Sequence, residues 1–471
     1  MRWASVIPRQ VRILTMETTF RNGSDEKFLE LAQEIAEGEV SAVLLSGGGL
    51  DCSRYSIACG DPFLILRAKG RTYEVITPKG CWRGEGDPIS LVDDLLTHLE
   101  PDFPLATPPF MGGAVGYFAY ELKNTIEKLP QSASDDLLLP DLFLFFPRDI
   151  LIYDRAKRTI NQVLLTYGEE ENAFDIPLSK QGDSKPDTPL EAGELKSNFT
   201  HQEYLEAVRH IRRYIREGDV YQVNLSQRFS FPFRGDPWRL WIELFRRNPA
   251  PFYAFVNGGD HQILSTSMER FLFRQDDYIE TRPIKGTRRR GRTKEEDKRL
   301  KKELLKDPKE DAELSMIVDL LRNDLGRVCA PKTIRVAEHK RVEEYQNVFH
   351  LISIITGKLR PGITYGDILR ATFPGGSITG CPKIRAMEII DELEPNVRHV
   401  YTGCIGYLGW HKNMDLNIGI RTGILHKGLF HFAVGGGVVY DSDEEAEYQE
   451  TLHKGQTLFD LIRSLKKTFR R

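Results

Sequence analysis

The chain has 471 residues, enough for two or three average domains or one large composite body. Its 40% hydrophobic and 28% charged residues are those of an ordinary globular protein. A formal net charge of -3 supplies no global field to draw in nucleic acid or a membrane surface.

The opening residues MRWASVIPRQVRIL lack the apolar core and small-residue cleavage site of a signal peptide. Residues 1–22 read as a lead-in that ends in a strand. A β-rich N-terminal region is expected over 23–175, with a short helix at 28–37 and a strand running into the glycine-rich turn at 43–49. Further strands are expected at 62–76, 112–120, 142–153 and 160–167. The turn is not followed by GK[ST], so it is no P-loop. The longest apolar run, 137–153, is broken by Pro140, Asp141, Pro147, Arg148 and Asp149, and so reads as strands rather than a membrane span. The cysteines at 52, 59, 81, 329, 381 and 404 form no CxxC pair and match no zinc or disulfide framework. Free thiols in a reducing cytoplasm are the expectation. A metal site would then be built from carboxylates, which suits Mg²⁺.

Residues 176–197 are polar and rich in Pro, Ser and Gly, the composition of a linker or long surface loop. The C-terminal region, 198–468, opens with a T-x-x-E capping box at Thr200 and Glu203. Tyr204, Val208, Ile211 and Ile215 then mark one helical face, and Gly218 a stop. A solvated helix is expected at 293–306 and a second helix at 313–325. Pro382 is expected at the first position of a helix over 383–393. Strands are expected at 402–408, 416–425 and 430–440, before a closing helix from about 442 to 466.

The stretch 281–291, TRPIKGTRRRG, sets Lys285 between an apolar residue and Gly286, after an X-Pro step that favours extended backbone. Desolvation and the three following arginines would push Lys285 toward its free amine, a nucleophile. The alternative is a basic loop in which Lys285 is a fourth cation for an anion. Glu269, sixteen residues earlier, is either an acid–base partner for the lysine or its ion pair. Glu447 and Glu450 share a helical face after a Gly435–Gly437 triplet. With Glu313 they form either a carboxylate set for one hard cation or ordinary surface acids, Glu450 then pairing with Lys454. Arg421 is a charge in an apolar strand context and requires an anion, from the protein or a ligand. His350, in NVFHLIS, is by default a satisfied core histidine.

Several of these stretches together resemble the chorismate-utilising enzymes. They are GDVYQVNLSQR at 218–228, 265–271, 281–291, MIVDLLRNDLGRV at 316–328, FPGGSITGCPKIRAMEIIDELEP at 373–395, 401–408, 418–422 and GGGVVYDSDEEAEYQET at 435–451. The N-terminal half matches more loosely, at 45–47 and 111–120. The resemblance implies an α+β fold, with two large antiparallel β-sheets packed face to face and helices outside, a four-layer α/β/β/α sandwich. It implies that Arg421, Tyr401 and backbone at Gly437 clamp the enolpyruvyl carboxylate of chorismate. Lys454, Thr287 and His350 complete the substrate wall, and Glu313, Glu447 and Glu450 hold Mg²⁺.

Anthranilate-forming members carry Ala at position 285, and this chain carries Lys. The resemblance therefore implies a covalent Lys285 adduct at ring C2, loss of the C4 hydroxyl protonated by Glu269, and entry of ammonia at C4. The product would keep its enolpyruvyl arm and lead toward p-aminobenzoate and folate. Anthranilate or isochorismate formation, and an inert chorismate- or tryptophan-binding subunit, are the rival readings. No cysteine nucleophile in a Gly-rich elbow is present, so ammonia is expected from a separate glutamine amidotransferase subunit or from free ammonium. The resemblance also implies an L-tryptophan site at Ser46, Cys52, Ser53, Arg54, Tyr55, Pro251, Phe252 and Tyr253. Met268 stands where Pro is usual before the Glu, which would loosen the turn that places Glu269.

Overall fold

The computed structural model describes residues 2–5, 7–102, 109–168 and 189–465. Two long strands, Tyr55–Lys69 and Leu142–Asp154, pair antiparallel along their length. Pro62 lies opposite Pro147 in this ladder, and a register shift follows between Pro62 and Leu64. Proline has no N–H to give a ladder, so the pairing breaks there and the strands change course. On one side of the break they continue to Ser41–Leu45 and Thr159–Tyr167; on the other they continue to Thr72–Thr77 and Gly113–Phe118. Each strand thereby feeds two sheets.

The first sheet runs outward from Ser41–Leu45 through Tyr253–Asn257, His261–Ser265, Thr422–His426 and Leu429–Val438 to Gln222–Arg234. Its other flank ends in Gln10–Arg21, a strand inside the predicted lead-in. The second sheet runs from Gly113–Phe118 through Cys404–Gly409, Met414–Ile418, Arg270–Gln275 and Tyr278–Arg282 to Val348–Lys358. Ile284–Arg289 and Arg335–Glu344 pair with that last strand. Both sheets mix strands from the two halves of the sequence.

Apolar residues of the two sheets, among them Val256, Ile263, Phe271 and Leu416, share one buried cluster. Helices cover the outer faces. Phe459 of the closing helix, Glu444–Leu465, packs edge-on against Phe229 and Phe432. Leu314 and Ile317 of the helix Pro308–Gly326 join the cluster that contains Leu351 and Ile355. This is the layered α+β sandwich that the sequence implies.

The capping box at Thr200 and Glu203 forms, and His201–Glu217 stops at Gly218 in the left-handed region. Three local details differ from expectation. The helix predicted from 313 begins at Pro308, because Asp307 caps it by accepting from the N–H groups of Lys309 and Glu310. Pro382 caps Lys383–Leu393 rather than starting it. The single strand predicted over 416–425 is two, Met414–Ile418 and Thr422–His426, because Arg421 between them has φ +49°. Of the predicted loop at 176–197, residues 176–188 lie outside the described residues. Within the remainder, Glu191–Ala192 and Lys196–Ser197 pair with Gln222–Arg234. No helix among the described residues is long and apolar enough to cross a membrane.

Candidate active site

Lys285 sits on Ile284–Arg289, opposite Leu351 of the neighbouring strand. The ladder slips between Lys285 and Thr287, where Gly286 takes φ +66°. A side chain at Gly286 would also meet Leu304 at 2.9 Å and Glu310 at 3.2 Å, so only glycine fits the bulge. The bulge changes the direction of neighbouring side chains. Thr287 is exposed, with Oγ1 3.1 Å from His350 Nδ1, while Lys285 turns inward.

The Lys285 amine donates to the carbonyl of Ser377 at 3.3 Å. Burial pushes its pKa below the ordinary lysine value; Glu313 opposes this, and Lys454 adds to it. The cationic neighbour that matters is therefore Lys454, not the arginines that follow in sequence. Arg288 is taken up by Asp307 and Glu310, Arg289 by Glu296 and Arg290 by Asp297.

Glu269 is buried at the start of Arg270–Gln275, and its Oε1 accepts from Ser377 Oγ at 2.6 Å. Burial raises its pKa to about 7, with Ser377 and Lys285 pulling the other way. Glu269 and Lys285 are not in ion-pair contact, and Ser377 touches both. The turn before Glu269 has no proline but is held at both ends. Ser267 Oγ accepts from the Glu269 N–H at 3.2 Å, and the Glu269 carbonyl accepts from the Ile418 N–H at 3.0 Å.

The opposite wall comes from the closing helix and the glycine triplet. A side chain at Gly436 would meet Glu447 Oε2 at 3.2 Å, Glu450 Oε1 at 3.5 Å and Lys454 Nζ at 3.8 Å, so these groups converge on bare backbone. Ser442 Oγ donates to Glu447 Oε1 at 2.6 Å, and burial raises the Glu447 pKa. Lys454 bridges Glu450 at 2.7 Å and the Gly435 carbonyl at 3.0 Å, and holds the Glu450 carboxyl low. The i,i+4 pair weighed in sequence thus forms, and it forms within electrostatic reach of Lys285.

Tyr401 is buried with its hydroxyl against Gly435, where a side chain would approach to 2.9 Å. Arg421 lies deep in the protein with one side open to a narrow cavity that Tyr253, Tyr345 and Lys454 also line. Among the described residues no carboxylate pairs with it, and burial pushes its pKa down. Burial likewise holds His350 near 3, so its ring is neutral, and its Nε2 has no partner.

Two residues at the site carried no role in the sequence reading. Ser377 lies in the small-residue run GGSITG, which signals a tight backbone path but not what that path touches. Gln222 is buried with neither amide atom partnered, and its Nε2 would stand 2.1 Å from a side chain at Gly437. Strand alternation separates Gln222 from Val223 but does not say what it faces.

Seven of the eight residues expected at a tryptophan site line a separate cavity of 370 Å³. Ser53 instead donates to the Gly47 carbonyl at 2.7 Å and braces the glycine turn.

The chain matches the chorismate binding enzyme family over residues 59–460 and belongs to it. Among individual proteins, it is 41% identical to the aminodeoxychorismate synthase component 1 of Salmonella typhimurium over 406 residues, covering 85% of this chain and 88% of that one. It is 37% identical to the protein of that name in Bacillus subtilis over 444 residues, covering 91% and 93%. The anthranilate synthase component 1 of Cereibacter sphaeroides is 37% identical over 453 residues, covering 91% of each. The crystal structure of anthranilate synthase component I from Streptococcus pneumoniae superposes with a TM-score of 0.76 at 32% identity, covering 86% of this chain and 92% of that one. The isochorismate synthase MenF of Escherichia coli shares the fold, with a TM-score of 0.73 at 17% identity over 98% and 97% of the two chains.

Proposed function

We propose that the chain is a 4-amino-4-deoxychorismate synthase, which replaces the C4 hydroxyl of chorismate with ammonia. The observation that carries this reading is the Lys285 amine, buried below its ordinary pKa and linked through Ser377 to a carboxyl whose pKa is about 7. Overall identity does not separate aminating from anthranilate-forming relatives, which match at 41% and 37%. A nucleophile beside a proton donor does.

The neutral Lys285 amine attacks C2, the two ring double bonds each shift by one position toward C4, and the C4–O bond breaks. Glu269 in its protonated form delivers the proton that leaves with the hydroxyl as water. Ammonia then forms a bond to C4, both double bonds shift back, and the C2–N bond to Lys285 breaks. Proton donation of this kind is worth roughly 10²–10⁴ in rate. Arg421, with Tyr401 and the backbone at Gly437, clamps the enolpyruvyl carboxylate. Its fork matches a carboxylate bidentately, and among the described residues no protein carboxylate takes it up. Lys454, Thr287 and His350 bound the ring.

Mg²⁺ is the cofactor this donor set fits. Glu447 and Glu450 present hard oxygens at Gly436, and Glu313 acts on Lys285 from within electrostatic reach. Among the described residues no group of three His, Cys, Asp or Glu side chains that could hold a metal ion lies together, Glu313, Glu447 and Glu450 included, so at most one or two carboxylates would reach the ion from the protein. Mg²⁺ can be held by one or two carboxylates, with water and substrate oxygens in its remaining positions. When bound, the ion would neutralise the ring carboxylate and draw charge from the ring as the hydroxyl leaves. Ammonia is supplied by a glutamine amidotransferase subunit or as free ammonium, and the reaction belongs to the cytoplasm. We further assign L-tryptophan to the 370 Å³ cavity, on the strength of Ser46, Cys52, Arg54, Tyr55, Pro251, Phe252 and Tyr253 lining it.

Product analysis with chorismate, Mg²⁺ and ammonium tests the reading. Aminodeoxychorismate is expected, and anthranilate or isochorismate as the main product would reject it. Isothermal calorimetry tests tryptophan binding separately.

A further inference from the structure

Ser377, which touches both Lys285 and Glu269, lies midway along the segment 373–382 between the helices Tyr365–Thr372 and Lys383–Leu393. The second half of this segment is held by a strand. Gly380 and Cys381 pair with Val223 and Gln222, and the Thr379 carbonyl accepts from the Asn224 N–H at 2.8 Å. The first half pairs with no strand among the described residues. Gly375 and Gly376 bring no side chain to key it in place, and one would meet Ile418 at 2.7 Å and Leu320 at 2.6 Å. The Gly375 carbonyl accepts from Thr379 Oγ1 at 3.0 Å, a bond internal to the segment.

Lys383, the residue after the segment, reaches back to its start. Its Nζ donates to the Thr372 carbonyl at 2.9 Å and to Asp324 Oδ2 at 2.6 Å. Thr372 ends its helix, and the last carbonyls of a helix lack partners within it and favour a cation. Arg327 reaches the neighbouring Ala371 carbonyl only at 3.5 Å, so Lys383 is the closer hold. Asp324 lies on Pro308–Gly326, the helix that also carries Glu313. The Lys383 side chain is 14% exposed and that of Asp324 7%, so each charge is largely desolvated and depends on the other.

We propose that Lys383 is a positioning residue for the amination proposed above, on which this inference rests. Held by Asp324, its ammonium closes the segment 373–382 at its base and ties it to the helix of Glu313. That sets the Ser377 carbonyl on Lys285 and the Ser377 hydroxyl on Glu269, while Lys383 itself touches no reacting atom. A pair kept only for stability is replaceable by apolar side chains of similar volume. A tether is not.

Steady-state kinetics with ammonium chloride, and melting curves, test this in Lys383→Met/Asp324→Leu, which removes both charges together. The double variant is expected to melt at or above the unsubstituted protein, yet kcat should fall about 10–100-fold, as a misplacement of about 1 Å does. KM for chorismate should stay unchanged, because Arg421 is placed by a different turn. Formation of the Lys285 adduct without ammonium, followed by intact mass, should slow by the same factor as kcat. Lys383→Met/Asp324→Asn carries the same kinetic prediction if the first variant does not fold. Asp324→Asn alone keeps an oxygen for Lys383 and should hold kcat within about threefold. An unchanged kcat in a folded double variant overturns the positioning role, and so does a rise in chorismate KM that matches the fall in kcat, or an equal loss in Asp324→Asn. Each of those leaves the amination intact. Failure of the unsubstituted protein to form either adduct or aminated product overturns the amination, and the role of Lys383 with it.

Discussion

The 370 Å³ cavity and the candidate reaction site both hold deeply placed cations, and they treat them in opposite ways. Around the 370 Å³ cavity, Arg270 pairs with Glu280 at 2.8 Å and Asp415 at 2.8 Å, and Arg282 pairs with Glu280 at 2.5 Å and Asp51 at 2.9 Å. Around the reaction cavity, Arg421 has no carboxylate and Lys285 only a carbonyl. A paired buried cation is part of the framework. An unpaired one costs stability and is tolerable where a ligand will complete it. Charge alone does not distinguish a site from a scaffold; unmet pairing does.

The sharpest way to break this comparison is Lys285→Ala. No adduct should be seen by intact mass after chorismate addition, and ammonium-dependent turnover should fall by at least ~10³, with melting unchanged or improved because a buried amine is gone. An unchanged rate would make the lysine merely electrostatic. Glu269→Gln should cost about 10²–10⁴ in kcat. In the unsubstituted protein the acid is active while protonated, so kcat should decline as pH rises through about 7, and that alkaline limb should vanish in the variant. A rate that instead climbs through pH 7 would remove Glu269 from the acid role.

Arg421→Met and Arg270→Met set the two cavities directly against each other. Arg270→Met should destabilise by about 3–5 kcal/mol in denaturant titration, since Asp415 and Glu280 are left buried and short of charge. Arg421→Met should leave stability unchanged or raised, while KM for chorismate rises by about 10–100-fold. Equal loss of stability in both would show that Arg421 is scaffold too. The smallest effect is expected for Ser377→Ala. The Ser377 hydrogen bond lowers the Glu269 pKa, so its loss should move the alkaline limb to higher pH, with a rate loss of about tenfold or less. A shift to lower pH would assign that hydrogen bond to the wrong protonation state.

Much of the site was legible because it is carried by residue types with few alternative uses. A lysine flanked by Pro283 and Gly286, a glycine triplet before a helix, and two acids three residues apart each limit the chemistry; the structure sets the two acids against the triplet and Glu450 within electrostatic reach of Lys285. The reason first given for a neutral lysine was partly wrong. The arginines nearest in sequence are each neutralised by acids of the helices Lys294–Lys306 and Pro308–Gly326 or the residue between them, and the cation that acts on Lys285 is 169 positions away, in Lys454. Arg421 was legible as a charge needing an anion, but its position in a left-handed turn rather than a strand was not, because the apolar pattern runs on through it.

The sequence by itself determined the family and, through that resemblance, the layered fold, and it marked Lys285, Glu269 and Arg421 as candidates, since literal motifs and charges in apolar surroundings are local properties of the chain. Only the tertiary structure decided which charges are spent and which are left over. Ser377 between Lys285 and Glu269, the amide of Gln222 against Gly437 and the Arg398 guanidinium on the carbonyls of Ile378 and Asn224 all join residues from separate stretches. Burial and pairing, which set every pKa in the site, arise from packing distant segments together and have no signature in any one of them.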